Sequence, residues 1–79
     1  MAIEGFECRL RIIFANKRSE DPSFRQENFA KQVNMSRGTL SALVNEHSLP
    51  NFKNAYSIAE ELDIPIQEIW IKTTKWKEN

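Results

Sequence analysis

An all-α fold is predicted by three features of the sequence. Apolar residues recur at helical spacing in every substantial segment. Nothing before the C-terminal tail alternates as a strand would, and short breaks at Pro22, Asn34, Pro50 and Pro65 separate the helical stretches. A chain of 79 residues is just long enough to close one modest core, so residues 1–79 are expected to form a single domain of five short helices. At 41% hydrophobic and 28% charged, its composition is that of a folded domain rather than a disordered one.

The first helix is expected from about Glu7 to Asn16. Leu10, Ile13 and Phe14 fall at i, i+3 and i+4, Ile12 and Ala15 widen the apolar stripe, and Arg9, Arg11 and Asn16 stay wet. The stretch "KRSEDPS" ends it, because Pro22 cannot continue a helix and pushes Asp21 out of helical geometry. Ser23 then opens a second helix, with Gln26 in capping-box spacing and Phe29, Ala30 and Val33 as the inner face. Asn34 closes it at a left-handed position, which Asn tolerates better than other residues with a side chain.

Ser36 caps a third helix that runs to about Glu46. Its buried stripe is Leu40, Leu43 and Val44, with Thr39 toward the buried side. The stretch "HSLPN" turns the chain, with Pro50 as the stop and Asn51 as the next N-cap. A fourth helix follows from about Phe52 to Leu62, burying Phe52, Ala55, Ala59 and Leu62 and keeping Tyr56 and Ile58 at its margins. Pro65 suits the start of a short fifth helix containing Ile66, Ile69 and Trp70. Beyond it, Ile71 to Trp76 have the Thr and β-branched content of an extended arm.

The third helix is unusual on its outer side, where Gly38, Ser41 and Ala42 leave little side chain. A helix that needed only to be solvated would carry Glu and Lys there. The order Phe29-Ala30-Val33-Asn34-Met35-Leu40-Leu43 adds a small residue where two helices cross and a turn residue tolerant of positive φ. That is the pattern of a helix-turn-helix.

Residues 8 to 70 resemble the Cro-and-lambda-repressor type of helix-turn-helix transcriptional regulator, often called the xenobiotic-response-element family. The resemblance is carried by "CRLRIIFANK", "RQENFAKQVNMSRGTLSALVN", "LPNFKNAYSIAEELDI" and "IQEIW", in the family's order and near its spacing. It implies a compact five-helix lambda-repressor-like DNA-binding domain with a short extended C-terminal tail, a helix-turn-helix core at 24–46 and a dimerisation tail at 66–79. It further implies that Gln26 touches a phosphate, that Arg37, Gly38, Ser41 and Ala42 face base edges, and that Asn45 contacts the DNA backbone. A helix pressed into a major groove about 12 Å wide can carry small groups where it lies closest to the bases. Arg25, Lys31 and Lys53 are general phosphate candidates from their charge.

The chain departs from the family pattern in places. Asn34 stands where members usually have Gly, and "RSEDPS" lengthens the loop before the second helix. Many members join the first and third helices by a buried Arg–Glu pair, where this chain has Phe14 and Val44. Losing one partner would strand a charge at about 3–5 kcal/mol, whereas replacing both is neutral or stabilising, so the two helices are still expected to meet. Gly38 and Ala42 cannot make bidentate bonds to bases, so direct readout falls mainly on Arg37, ideally at a guanine O6/N7 pair.

Charge and composition narrow the partners. The chain is neutral overall, yet residues 9 to 37 hold seven basic side chains against three acidic ones, and residues 38 to 70 hold one against five. A polarised molecule with a basic face for phosphates fits this, as do ordinary solvated helix faces. Cys8 is the only cysteine, which rules out an internal disulfide and suits a reducing compartment. With no signal-peptide pattern or long apolar run, a cytoplasmic protein without membrane contact is expected. His47 has no cysteine or second histidine near it, Glu60-Glu61 has no cleft signal, and no glycine loop cradles phosphate. No metal, cofactor, small-molecule ligand or catalysis is therefore expected.

The expected function is a sequence-specific double-stranded DNA-binding regulator, a repressor that inserts helix 37–46 in the major groove as a homodimer. The alternatives are an antitoxin or anti-repressor-like module whose main partner is a protein, or an interaction domain that has lost DNA binding.

Overall fold

The computed structural model describes residues 5–73. Five helices and one short strand pair follow in the order β1 (Phe6–Cys8), α1 (Leu10–Glu20), α2 (Gln26–Gln32), α3 (Arg37–Val44), α4 (Phe52–Leu62), α5 (Ile66–Ile69) and β2 (Trp70–Lys72). The five helices match the sequence expectation in number and order. The all-α expectation needs correcting, because β1 and β2 form an antiparallel pair with Cys8 opposite Trp70, Glu7 opposite Ile71 and Phe6 opposite Lys72. Bonds from Arg9 N–H to the Ile69 carbonyl (2.8 Å) and from Thr73 N–H to the Gly5 carbonyl (3.0 Å) continue the ladder at both ends. Strands of three residues are too short to show alternation, and their partners lie at opposite ends of the chain, so no local pattern announces them.

α1 starts after β1, at Leu10, and runs past Asn16 to Glu20. Lys17 and Arg18 in its last turn complement the negative end of the helix. Asp21, extended before Pro22 as the sequence predicts, ends it. The expected Ser23–Gln26 capping box is absent, since the N-cap of α2 is Arg25 and makes no side-chain cap. The Ser23 hydroxyl and backbone N–H instead donate to Asp21 Oδ1 at 2.7 and 3.1 Å. These two bonds, the hydroxyl's first, hold the Asp21 carboxyl below its usual range. The loop so tied carries Phe24 against Phe14 and Phe29, with ring centroids 5.4 and 6.4 Å away, while Phe14 and Phe29 meet edge-on at 5.1 Å.

Leu10, Phe14, Phe29, Ala30, Val33, Leu40, Leu43, Val44, Ile69 and Trp70 all belong to the buried core, together with the inner face of α4. Phe14 and Val44 are both buried, as expected for positions freed of an ion pair. Several expectations for burial fail, among them Ala15, which is exposed rather than part of the apolar stripe. Ile12 points to solvent because it sits two residues from both Leu10 and Phe14, on the far side of α1. On α4 the inward stripe is Ala55, Ile58, Ala59 and Leu62, so Ile58 is fully buried rather than marginal. Phe52, at the first turn, overhangs the core and is 79% exposed, stacked on Tyr56 at 5.9 Å.

Trp70 lies just past the last helical residue of α5, as its C-cap, rather than within the helix. It begins β2 and is only 6% exposed, completing the monomer core. Its buried indole N–H finds no hydrogen-bond partner among the described residues. Trp76, assigned from sequence to an extended arm, lies outside the described residues. No helix among the described residues is long and apolar enough to cross a membrane.

Candidate nucleic-acid interface

Three helices end in the same way, and the repetition sets the pose of α3. Asn34, Glu46 and Asp63 all take positive φ, at 58°, 61° and 60°. In each case the next residue's N–H reaches back five positions: Met35 to Ala30 (2.9 Å), His47 to Ala42 (2.9 Å) and Ile64 to Ala59 (3.1 Å). This is the Schellman ending, and it satisfies carbonyls that a helix end leaves open. At Asn34 the result is the sharp turn predicted between α2 and α3, with Ala30 buried at the crossing. Ser36 caps α3 as predicted, its Oγ accepting from Thr39 N–H at 3.0 Å.

The far end of α3 is tied to the rest of the fold at two points. Cys8 N–H donates to Glu46 Oε2 at 2.9 Å, joining α3 to β1. Arg11 Nη2 donates to Asn45 Oδ1 at 3.0 Å, joining it to α1, and Asn45 Nδ2 donates to Ser41 Oγ at 3.2 Å. Leu40, Leu43 and Val44 seat the inner side in the core. α3 is therefore fixed along its length, with its outer side free.

That outer side carries Arg37 and Gly38 exposed, with Ser41, Ala42 and Asn45 partly exposed. A methyl group added at Gly38 would meet no atom within 4 Å, so nothing inside the protein demands glycine there. Thr39, expected toward the buried side, is exposed; its hydroxyl accepts from Ser36 Oγ at 2.8 Å. Its position in the cap's turn, one residue ahead of buried Leu40, puts it outside the core stripe.

Arg25, Gln26, Glu27, Arg37, Gly38 and Ser41 line one concave notch between the start of α2 and α3. Five of these were predicted site residues, and the fold brings them together. Arg25 is folded onto its own loop, its Nη1 donating to the Pro22 and Phe24 carbonyls at 3.1 Å each. Lys31 lines a neighbouring notch with Glu27, Met35 and Arg37. Lys53 stands apart from both, exposed in the first turn of α4. Ala42 and Asn45 follow along α3, Asn45 with its amide already engaged.

Two residues at this surface escaped the sequence reading. Glu27 Oε1 pairs with Arg37 Nη1 at 3.0 Å, and Arg11 holds Asn45. Each contact joins different helices, at separations of 10 and 34 residues, where no local spacing rule applies. Among the described residues there is no group of three or more His, Cys, Asp or Glu that could hold a metal ion.

Against known protein families, residues 23–69, more than half of the chain, match the family described as Helix-turn-helix. No curated protein matches the chain.

Proposed function

The chain belongs to the Cro/C1-type helix-turn-helix family of DNA-binding regulators, and from that premise we propose a sequence-specific repressor that reads duplex DNA by laying α3 in the major groove. The observation that carries this reading is the outer face of α3. It combines an exposed arginine, an exposed glycine with open space beyond it and a partly exposed Ser41, on a helix whose inner face and both ends are fixed. Arg37 is the principal base reader, Ser41 and Ala42 make close contacts, and Gly38 lets the backbone approach. Gln26 donates to a phosphate beside the notch, Asn45 meets the backbone at the far end, and Arg25, Lys31 and Lys53 add phosphate contacts.

One such helix reads only a few base pairs, so two copies on a two-fold site, with half-sites about 34–36 Å apart, belong to the proposal. Trp70 is not available to that contact, because it is buried within the protomer. The dimer interface therefore falls to the exposed parts of α5 and to the chain beyond β2.

Selection of bound sites from random duplexes tests the reading directly, with a two-fold motif as the expected result. Against the selected site, Arg37→Ala should lose about 1–3 kcal/mol and relax preference at one base position, while Gln26→Ala weakens all duplexes alike. Absence of any salt-dependent duplex binding would overturn the proposal. It would favour the second reading, an antitoxin or anti-repressor-like module, which the exposed Phe52–Tyr56 stack supports as a surface for a protein partner.

A further inference from the structure

We propose that Glu27 is a specificity-determining positioning residue, whose carboxylate holds the Arg37 guanidinium so that it reads guanine in preference to capturing phosphate. The inference rests on the DNA-binding reading above and concerns how its one strong base reader is controlled.

The geometry is that of a support. Glu27 is the second residue of α2 and Arg37 the first of α3, and the turn at Asn34 with buried Ala30 and Leu40 fixes the two helices against each other. Glu27 Oε1 takes one hydrogen of Arg37 Nη1 at 3.0 Å. A guanidinium has five N–H groups in a rigid fork, so Nη2, Nε and the second Nη1 hydrogen stay free, enough for a bidentate bond to guanine O6 and N7. An arginine already held in one geometry gives up less freedom on binding.

Charge supplies the selectivity. A phosphate approaching Arg37 must also approach the Glu27 carboxylate, a like charge, in a pair whose side chains remain 75% and 52% exposed. The guanine edge carries no formal charge, only partial negative charge on O6 and N7, and so meets less of that repulsion. Glu27 thus weakens contacts to the backbone more than contacts to a base, and a chain with a thin base-reading face gains discrimination without adding a second reader. Glu27 also stands beside the positive end of α3, where a cation at the first position is unfavourable by itself. That structural role has to be separated from specificity by the readout.

The test uses Glu27→Gln, Arg37→Ala and the double variant of the full chain. Each is measured on the selected site, on the same site with the guanine opposite Arg37 replaced, and on a random duplex, over a range of salt. Glu27→Gln is expected to bind the random duplex about tenfold more tightly and to steepen the salt dependence by about one unit of log–log slope. Its preference for the guanine site over the replaced site is expected to fall about tenfold, and the substitution should have no effect on that preference once Arg37 is Ala. Glu27→Gln that strengthens every duplex by one factor, with the guanine preference intact, would overturn the proposal and leave Glu27 a plain surface charge. A lower melting temperature with unchanged preference would overturn it in favour of the helix-end role. These failures differ from failure of the DNA-binding reading, in which the parent protein itself shows no salt-dependent duplex binding.

Discussion

At Glu46 the backbone takes a φ of 61°, a conformation that costs a residue with a Cβ about 1–2 kcal/mol. Its carboxylate accepts from Cys8 N–H at 2.9 Å, and a charged acceptor of this kind contributes about 1.5–3 kcal/mol. Substitution separates the two effects. Glu46→Ala keeps the backbone strain and loses the bond, so it should destabilise by about 1.5–3 kcal/mol, while Glu46→Gly should recover about 1–2 kcal/mol of that. Urea denaturation of both variants measures it, and an Ala variant as stable as the parent would mean the bond contributes nothing. Cys8 offers a pH probe at the same seam. Burial raises its thiol pKa; the Leu10 backbone bond opposes this, the Glu46 charge adds to it, and the Trp70 indole slightly opposes it. Because the folded value lies above the unfolded one, the contribution to stability is full below the ordinary thiol pKa of about 8.5 and is lost as pH rises through the folded value. Stability of the parent should fall over that alkaline range more than that of Cys8→Ala, and alkylation of the folded thiol should be slow until denaturant is added.

Each of the elements records how far local rules reach. Helical spacing located all five helices, Ser36 and Asn51 are the N-caps their chemistry suggested, and Asn34 turns the chain at positive φ. What local spacing could not show were contacts made across the chain: the β1–β2 pair, Glu27 with Arg37, Arg11 with Asn45, and the slide of Phe52 off the core edge. The sparse outer face of α3 was legible because small residues on an outer face violate what solvation alone would choose. Gly38 makes that violation measurable. Glycine inside a helix is worse than alanine by roughly 0.5–1 kcal/mol, and no neighbour would obstruct a Cβ. Gly38→Ala should therefore raise the stability of the free protein by about that amount while weakening specific duplex binding, as compared by thermal melts and titration on the selected site. Equal affinity would mean the backbone at Gly38 does not approach DNA closely. For the sheet, ladder alternation puts Ile71 in a bonded pair with Glu7, so Ile71→Pro should remove a donor and lower stability by about 1–3 kcal/mol.

Taken whole, the molecule is neutral, with its basic excess in the stretch that contains α1 and α2 and its acidic excess in the stretch that contains α4. Affinity for DNA must then come from local phosphate contacts rather than overall attraction. If the three proposed phosphate contacts of Arg25, Lys31 and Lys53 are made, the log–log salt slope should be about −3 per protomer, and about twice that for the proposed dimer on a two-fold site. Sedimentation with and without operator-length DNA, alongside the salt titration, distinguishes one copy from two. The strand pair has a consequence of another kind. β1 and β2 lie at opposite ends of the described chain, so during synthesis β1 emerges first and waits unpaired while every helix is made. The contacts between α2 and α3 are local in sequence and can form in that interval. A nascent chain halted just short of Trp70 would display α3 already turned and capped on a body still open along one side, and the addition of Trp70–Lys72 would close it.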